Sequence, residues 1–149
     1  MSGKQIYLDV CTLCRPFDNQ RAVRIRLETD AVYLILDHVR RQKYELIVSP
    51  AHGVEVGATT HRQEDEQLMA FLEACGKHPR WDIGRARERA EELYRLKFGP
   101  ADAAHVAFAE QSAEVFITCD DMLLRKCRRA KVEIPTMGPL EFALKENLQ

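Results

Sequence analysis

The chain has 149 residues, 46% hydrophobic and 30% charged, with a formal net charge of −1. That is the composition of one folded domain with a single core; it excludes a disordered polyelectrolyte and a strongly basic chain, so any nucleic-acid contact must come from a local basic face. No apolar run reaches bilayer length, the start MSGKQIYLDV lacks a leader's apolar core and cleavage site, and five irregularly spaced cysteines argue against a disulfide framework, so a cytoplasmic protein is expected, with no membrane association.

Residues 5–10, QIYLDV, read as a short buried strand in which Ile6, Leu8 and Val10 alternate with Tyr7 and Asp9. Pro16 and the Asp18–Asn19 pair punctuate the chain before a helical pattern from about 20 to 42, marked by Val23, Leu27, Leu34 and Val39. Leu46–Val48 is a second apolar run, ended by Ser49–Pro50. A short helix is expected at 51–57 and a charged one at 62–75, with Leu68, Phe71 and Leu72 as its stripe. Ala86, Ala90, Leu93 and Tyr94 predict an amphipathic helix over 85–97, broken by Gly99–Pro100. The next helix opens at Pro100-Ala101-Asp102 and is apolar on most faces, so it should be central. Val115–Ile117 reads as a strand, Asp120–Asp121 as the start of a helix, Val132 and Ile134 as a last short strand, and 139–147 as a terminal helix. Short apolar strands alternating with helices predict one α/β domain over 1–149: a mostly parallel sheet with helices on both faces. Such sheets bind ligands beyond the carboxyl ends of the strands, where strand order reverses.

Four acids fall near that edge: Asp9 at the end of the first strand, Asp120 with Asp121 just past the strand at 115–117, Asp102 at the head of the buried helix, and Glu55 after the strand ending at Val48. Aspartates at helix starts are usually caps, which is the plain reading of Asp102 and Asp120. Asp9 is harder to explain that way, because an acid at the end of an apolar strand is costly without a partner. Hard divalent cations such as Mg²⁺ or Mn²⁺ are the usual compensation for clustered carboxylates.

The segments IYLDVCTLCRPFDNQ, SPAHGVEV, FGPADAAHVAFAE and VFITCDDMLLRKC, in that order, resemble the PIN-domain family, including the VapC-like ribonuclease toxins of toxin–antitoxin modules. The resemblance implies a PIN-like three-layer α/β/α fold and an Mg²⁺- or Mn²⁺-dependent site that cleaves single-stranded RNA. It carries the family's four acids onto Asp9, Glu55, Asp102 and Asp120, with Asp121 and Thr12 as auxiliary candidates. Thr118 is a candidate for orienting Asp120 by hydrogen bonding. Expected partners are an RNA substrate, an antitoxin protein and a second copy of the chain. Arg15, Arg125 and Lys126 are the candidate RNA contacts, in competition with a purely solvated helix face.

Two other readings compete. Cys11-Thr12-Leu13-Cys14 is a CxxC after a strand, but Arg15-Pro16 leaves no room for the long helix that stabilises a redox thiolate. The fold could also serve as a non-catalytic interaction or RNA-binding module with a weakened metal site. His105, one helical turn after Asp102, is expected to pack in the core.

Overall fold

The computed structural model describes residues 3–58 and 62–149. Among these, β1 (Lys4–Leu8), β2 (Tyr44–Ile47), β3 (Gly76–Lys77), β4 (Val115–Ile117) and β5 (Thr136–Met137) form one parallel sheet in the order β3-β2-β1-β4-β5. β1 is central. The chain runs outward from it through β2 and β3, then returns to its other side for β4 and β5, so strand order reverses between β1 and β4. The helices are α1 (Val10–Leu13), α2 (Val23–Arg40), α3 (Pro50–Gly57), α4 (Arg62–Cys75), α5 (Ile83–Arg95), α6 (Pro100–Ser112), α7 (Asp121–Arg129) and α8 (Pro139–Lys145). A 3-10 turn at Arg15–Phe17 follows α1.

Alternation along the strands feeds two cores. Ile6, Leu8, Leu46 and Ile117 point to one face, where they meet Ile35 and Val39 of α2, Leu72 of α4 and Phe142 of α8. Tyr7, Ile47 and Phe116 point to the other, against Leu93 of α5, Val106 of α6 and Leu123 of α7. Burial on both faces is why the strands read as nearly continuous apolar runs. Local chemistry sets the helix starts. Ser49 caps α3 with Pro50 in its first turn and His52 closing a reciprocal capping box. Asp120 caps α7 through the amides of Met122 and Leu123.

The expected α/β architecture holds, with two corrections at the sheet edges. Val132 and Ile134 are loop residues packed half-buried against the second core; the strand lies just beyond, at Thr136–Met137. The apolar alternation there reflected packing of a loop, not a ladder. At the other edge, β3 follows directly on α4. A Cβ at Gly76 would fall 2.4 Å from both the Leu72 carbonyl oxygen and Val48 Cγ2, so only glycine permits this approach.

A ladder of charges fixes the segments next to β1 and β4. Glu28 of α2 is buried at 5% exposure and receives Arg15 Nη2 at 2.8 Å and Nε at 3.0 Å. Arg15 also reaches Asp18 at 3.0 Å. Arg24, one turn before Glu28, grips Asp121 at the head of α7 with two bonds of 2.7 and 2.8 Å. The outer pairs are exposed and contribute little, but the inner Arg15–Glu28 pair is shielded. Replacing Glu28 with alanine leaves Arg15 with only the exposed Asp18 and should lower stability by about 3 kcal/mol, measured by urea unfolding. A loss below roughly 1 kcal/mol would place that pair with ordinary surface ion pairs.

Candidate functional site

The strand reversal brings the ends of β1 and β4 side by side. Leu8 is in register with Ile117, so Asp9 faces Thr118 across the pair. Asp9 is 3% exposed and is met by a full set of donors. Its Oδ1 accepts from the Thr12 amide at 3.3 Å, from the Thr12 hydroxyl and from Cys11 Sγ at 3.4 Å, while its Oδ2 accepts from Thr118 Oγ1 at 2.7 Å. Burial pushes the Asp9 pKa up, and the hydrogen bonds from Thr12, Thr118 and Cys11 act against it.

Thr118 and Thr12 cross-link the two strand ends. The Thr118 oxygen accepts from the Asp120 amide at 3.1 Å while its proton goes to Asp9. Thr12 Oγ1 accepts from the Cys119 amide at 2.9 Å. The expectation that Thr118 orients the Asp120 carboxyl needs changing: its hydroxyl holds Asp9, and it touches Asp120 only through the backbone.

Asp102 stands in the first turn of α6 and is partly buried. Its pKa is pushed up to about 6, by burial first and then by the negative charges of Asp9, Asp120 and Glu55, with His105 opposing. Asp102 thus stands within electrostatic reach of Asp9, Asp120 and Glu55. Among the described residues, neither an arginine nor a lysine pairs with any of them; Glu55 meets only His105, whose Nε2 is 3.3 Å from Glu55 Oε2. That contact holds the Glu55 carboxyl below its usual range, against the effect of burial.

The donor set suits a hard divalent cation in kind: carboxylate oxygens without a counter-cation. It is not a formed coordination shell. Among the described residues no three His, Cys, Asp or Glu side chains stand grouped to hold an ion as they are. Asp120 Oδ1 is committed to the cap of α7, at 2.9 Å from the Met122 amide and 3.2 Å from that of Leu123.

Other candidates lie elsewhere. Asp121 is exposed and taken up by Arg24. Arg15, expected to face RNA, spends its guanidinium on Glu28 and Asp18. Arg125 is exposed on α7, and Lys126 lines a basic depression of about 310 Å³ with Lys97, Arg129 and Lys131. Lys97 and Lys131 hold left-handed backbone, φ 76° and 52°, where α5 and α7 end. The CxxC thiols are free; burial leads the rise of both, and the Cys14 pKa reaches about 11, the opposite of what a redox thiolate needs. His52 is a buried structural residue, its Nε2 2.7 Å from the Leu8 carbonyl oxygen. His105 is buried, as expected, but it also reaches the site. A histidine one turn after Asp102 was the available signal; its Glu55 contact depends on how α3 crosses α6.

No family model and no curated protein matches the sequence. Among solved structures, the chain is similar to FitAcB from Neisseria gonorrhoeae, with a TM-score of 0.53 and 16% identity over 90% of this chain and 97% of that one. The likeness is one of fold: a five-stranded parallel sheet between helical layers, the PIN-like architecture that the motif resemblance implies.

The crowding of acids has a measurable consequence. A carboxyl whose folded pKa is raised stabilises the fold below its unfolded pKa, near 4, and that contribution is lost as pH rises through about 6. In EDTA at pH 7.5, Asp102→Asn should therefore melt above wild type, and the gap should close towards pH 4. A gap independent of pH would mean that charge repulsion is not its cause.

Proposed function

We propose that this chain is a divalent-metal-dependent ribonuclease that hydrolyses phosphodiester bonds of single-stranded RNA and acts as the toxin of a toxin–antitoxin module. The observation that carries the reading is the cluster of Asp9, Asp102, Asp120 and Glu55 at the strand reversal, without a lysine or arginine to neutralise it among the described residues. The PIN-like fold and the four motifs in order support it.

In this reading Asp9, Asp102 and Asp120 hold Mg²⁺ or Mn²⁺, and Glu55 completes the site. The cation would neutralise developing phosphate charge and lower the pKa of a nearby water, as divalent ions do in phosphodiester hydrolysis. The chain's own residues prepare for this. Thr12 and Thr118 fix both oxygens of Asp9, so that carboxylate need not reorganise on binding. Asp102 is free of internal hydrogen bonds among the described residues, and at a pKa of about 6 it gives up its proton near neutral pH. RNA would meet the protein through Arg125 and the depression around Lys126, Lys97, Arg129 and Lys131, giving salt-dependent binding.

The partners proposed are an antitoxin protein and a second copy of the chain. Val23 and Leu27, one turn apart on α2, are 62% and 48% exposed, and Leu144 of the neighbouring α8 is 73% exposed. Exposed apolar side chains one turn apart, as Val23 and Leu27 are, fit a homodimer contact. Among the described residues no helix is long and apolar enough to cross a membrane.

One observation favours a second reading, a non-catalytic RNA-binding or interaction module: the acids do not converge as a ready coordination shell. Purified protein should cleave single-stranded RNA in Mn²⁺ or Mg²⁺ and stop in EDTA, and Asp9→Asn or Asp102→Asn should reduce the rate by at least about 100-fold, the scale of losing a charge-stabilising group. RNA binding without cleavage in either metal would favour the second reading. Cleavage at wild-type rate by Asp9→Asn would overturn the assignment of the site.

A further inference from the structure

Beneath the acidic edge lies a chain of buried polar groups that packing alone does not require. Tyr7 Oη is 2.7 Å from Ser49 Oγ and 2.6 Å from His105 Nδ1. Tyr7, His52 and His105 pack ring against ring, with centroids 4.7 to 5.6 Å apart. Tyr7, Ser49, His52 and His105 are all at most 4% exposed, so each proton must be assigned to a partner within the protein.

The assignment starts at a fixed point. His52 Nε2 lies 2.7 Å from the Leu8 carbonyl oxygen, which can only accept, so Nε2 carries the proton. His52 Nδ1 then accepts, and takes the Ser49 amide at 3.0 Å. With that lone pair occupied, the Ser49 hydroxyl donates to Tyr7 Oη, and the Tyr7 hydroxyl donates onward to His105 Nδ1. His105 Nδ1 is thereby an acceptor, and the ring proton sits on Nε2. That nitrogen is buried, off the line of a well-formed hydrogen bond and without another partner among the described residues; 3.3 Å away is Glu55 Oε2. The alternative tautomer would set a bare lone pair against a carboxylate.

We propose that His105 is the positioning residue for Glu55: a relay from the α3 cap through Ser49 and Tyr7 turns its Nε2–H towards the Glu55 carboxylate and holds that carboxylate at the acidic cluster. The inference rests on the reading of Glu55 as a member of the metal site. It explains why a glutamate on a short helix of uneven, glycine-containing sequence is kept near acids carried by β1 and α6. The donor carried by α6 selects the carboxylate's place.

The test has one part that needs neither metal nor activity. In ¹⁵N-labelled, metal-free protein, two-bond ¹H–¹⁵N correlations should show His105 with a pyrrole-type Nε2 and a pyridine-type Nδ1. The reverse pattern would overturn the proposal, because Nε2 could not donate. The second part compares Mn²⁺ affinity by electron paramagnetic resonance. His105→Asn keeps a polar atom for Tyr7 but not the reach to Glu55; it should bind Mn²⁺ about 10-fold more weakly. His105→Gln puts an amide N–H near the position of Nε2 and should restore most of that loss. In a Glu55→Gln background, His105→Asn should cost nothing further. Equal affinity of His105→Asn and wild type, with Glu55→Gln weakened, would overturn the proposal. If wild type binds no Mn²⁺ and cleaves no RNA, the ribonuclease reading falls, and the His105 tautomer alone then decides for or against the relay.

Discussion

A carboxylate closed off from water must find its donors inside the protein, and here the hydrogen bond from Thr118 to Asp9 does more than satisfy one oxygen. It joins the ends of two central strands at the point where the sheet changes direction. Thr12 closes the same junction from the other side by accepting the Cys119 amide. The spacing between the Asp9 loop and the Asp120 loop is thus set by two short side chains. Any ligand gathered at that edge meets a frame built before it arrives, which is the condition under which positioned charges act most strongly.

Opposite charges are kept apart with some consistency. Arg15 and Arg24 bind Glu28, Asp18 and Asp121 rather than Asp9 or Asp120. They tie down the segments that follow Asp9 and Asp120 without neutralising either carboxylate. Four cations, Lys97, Lys126, Arg129 and Lys131, gather instead where α5 and α7 end. A chain of net charge −1 thereby carries an acidic edge and a separate basic face, which its average composition conceals.

The layout of the sheet was largely legible because parallel strands buried on both faces announce themselves as apolar runs between amphipathic helices. Asp9 stood out for the same reason, as a charge where the pattern calls for an apolar residue. The two edge strands were hidden: β3 is a pair of residues flush against a helix end, and β5 lay behind a better-looking apolar alternation at Val132 and Ile134. Partner choice was the least readable property. Arg15 lies six residues after Asp9 and looks like part of its loop, yet its guanidinium answers to Glu28, buried on a helix that begins later. Thr118 looked like a neighbour of Asp120 and turned out to serve Asp9, because strand register rather than sequence distance decides which side chains meet.

The short edge strands carry a consequence of their own. An exposed strand edge is a template on which another chain can add, and a parallel sheet this apolar would be a dangerous one if its margins were long. Both margins here are two residues wide, one pressed under the end of α4 and the other bounded by Pro135 and Pro139. Sequence that reads as marginal for strand formation thus leaves the sheet with paired middle strands and two-residue borders, which offer another chain little to add to.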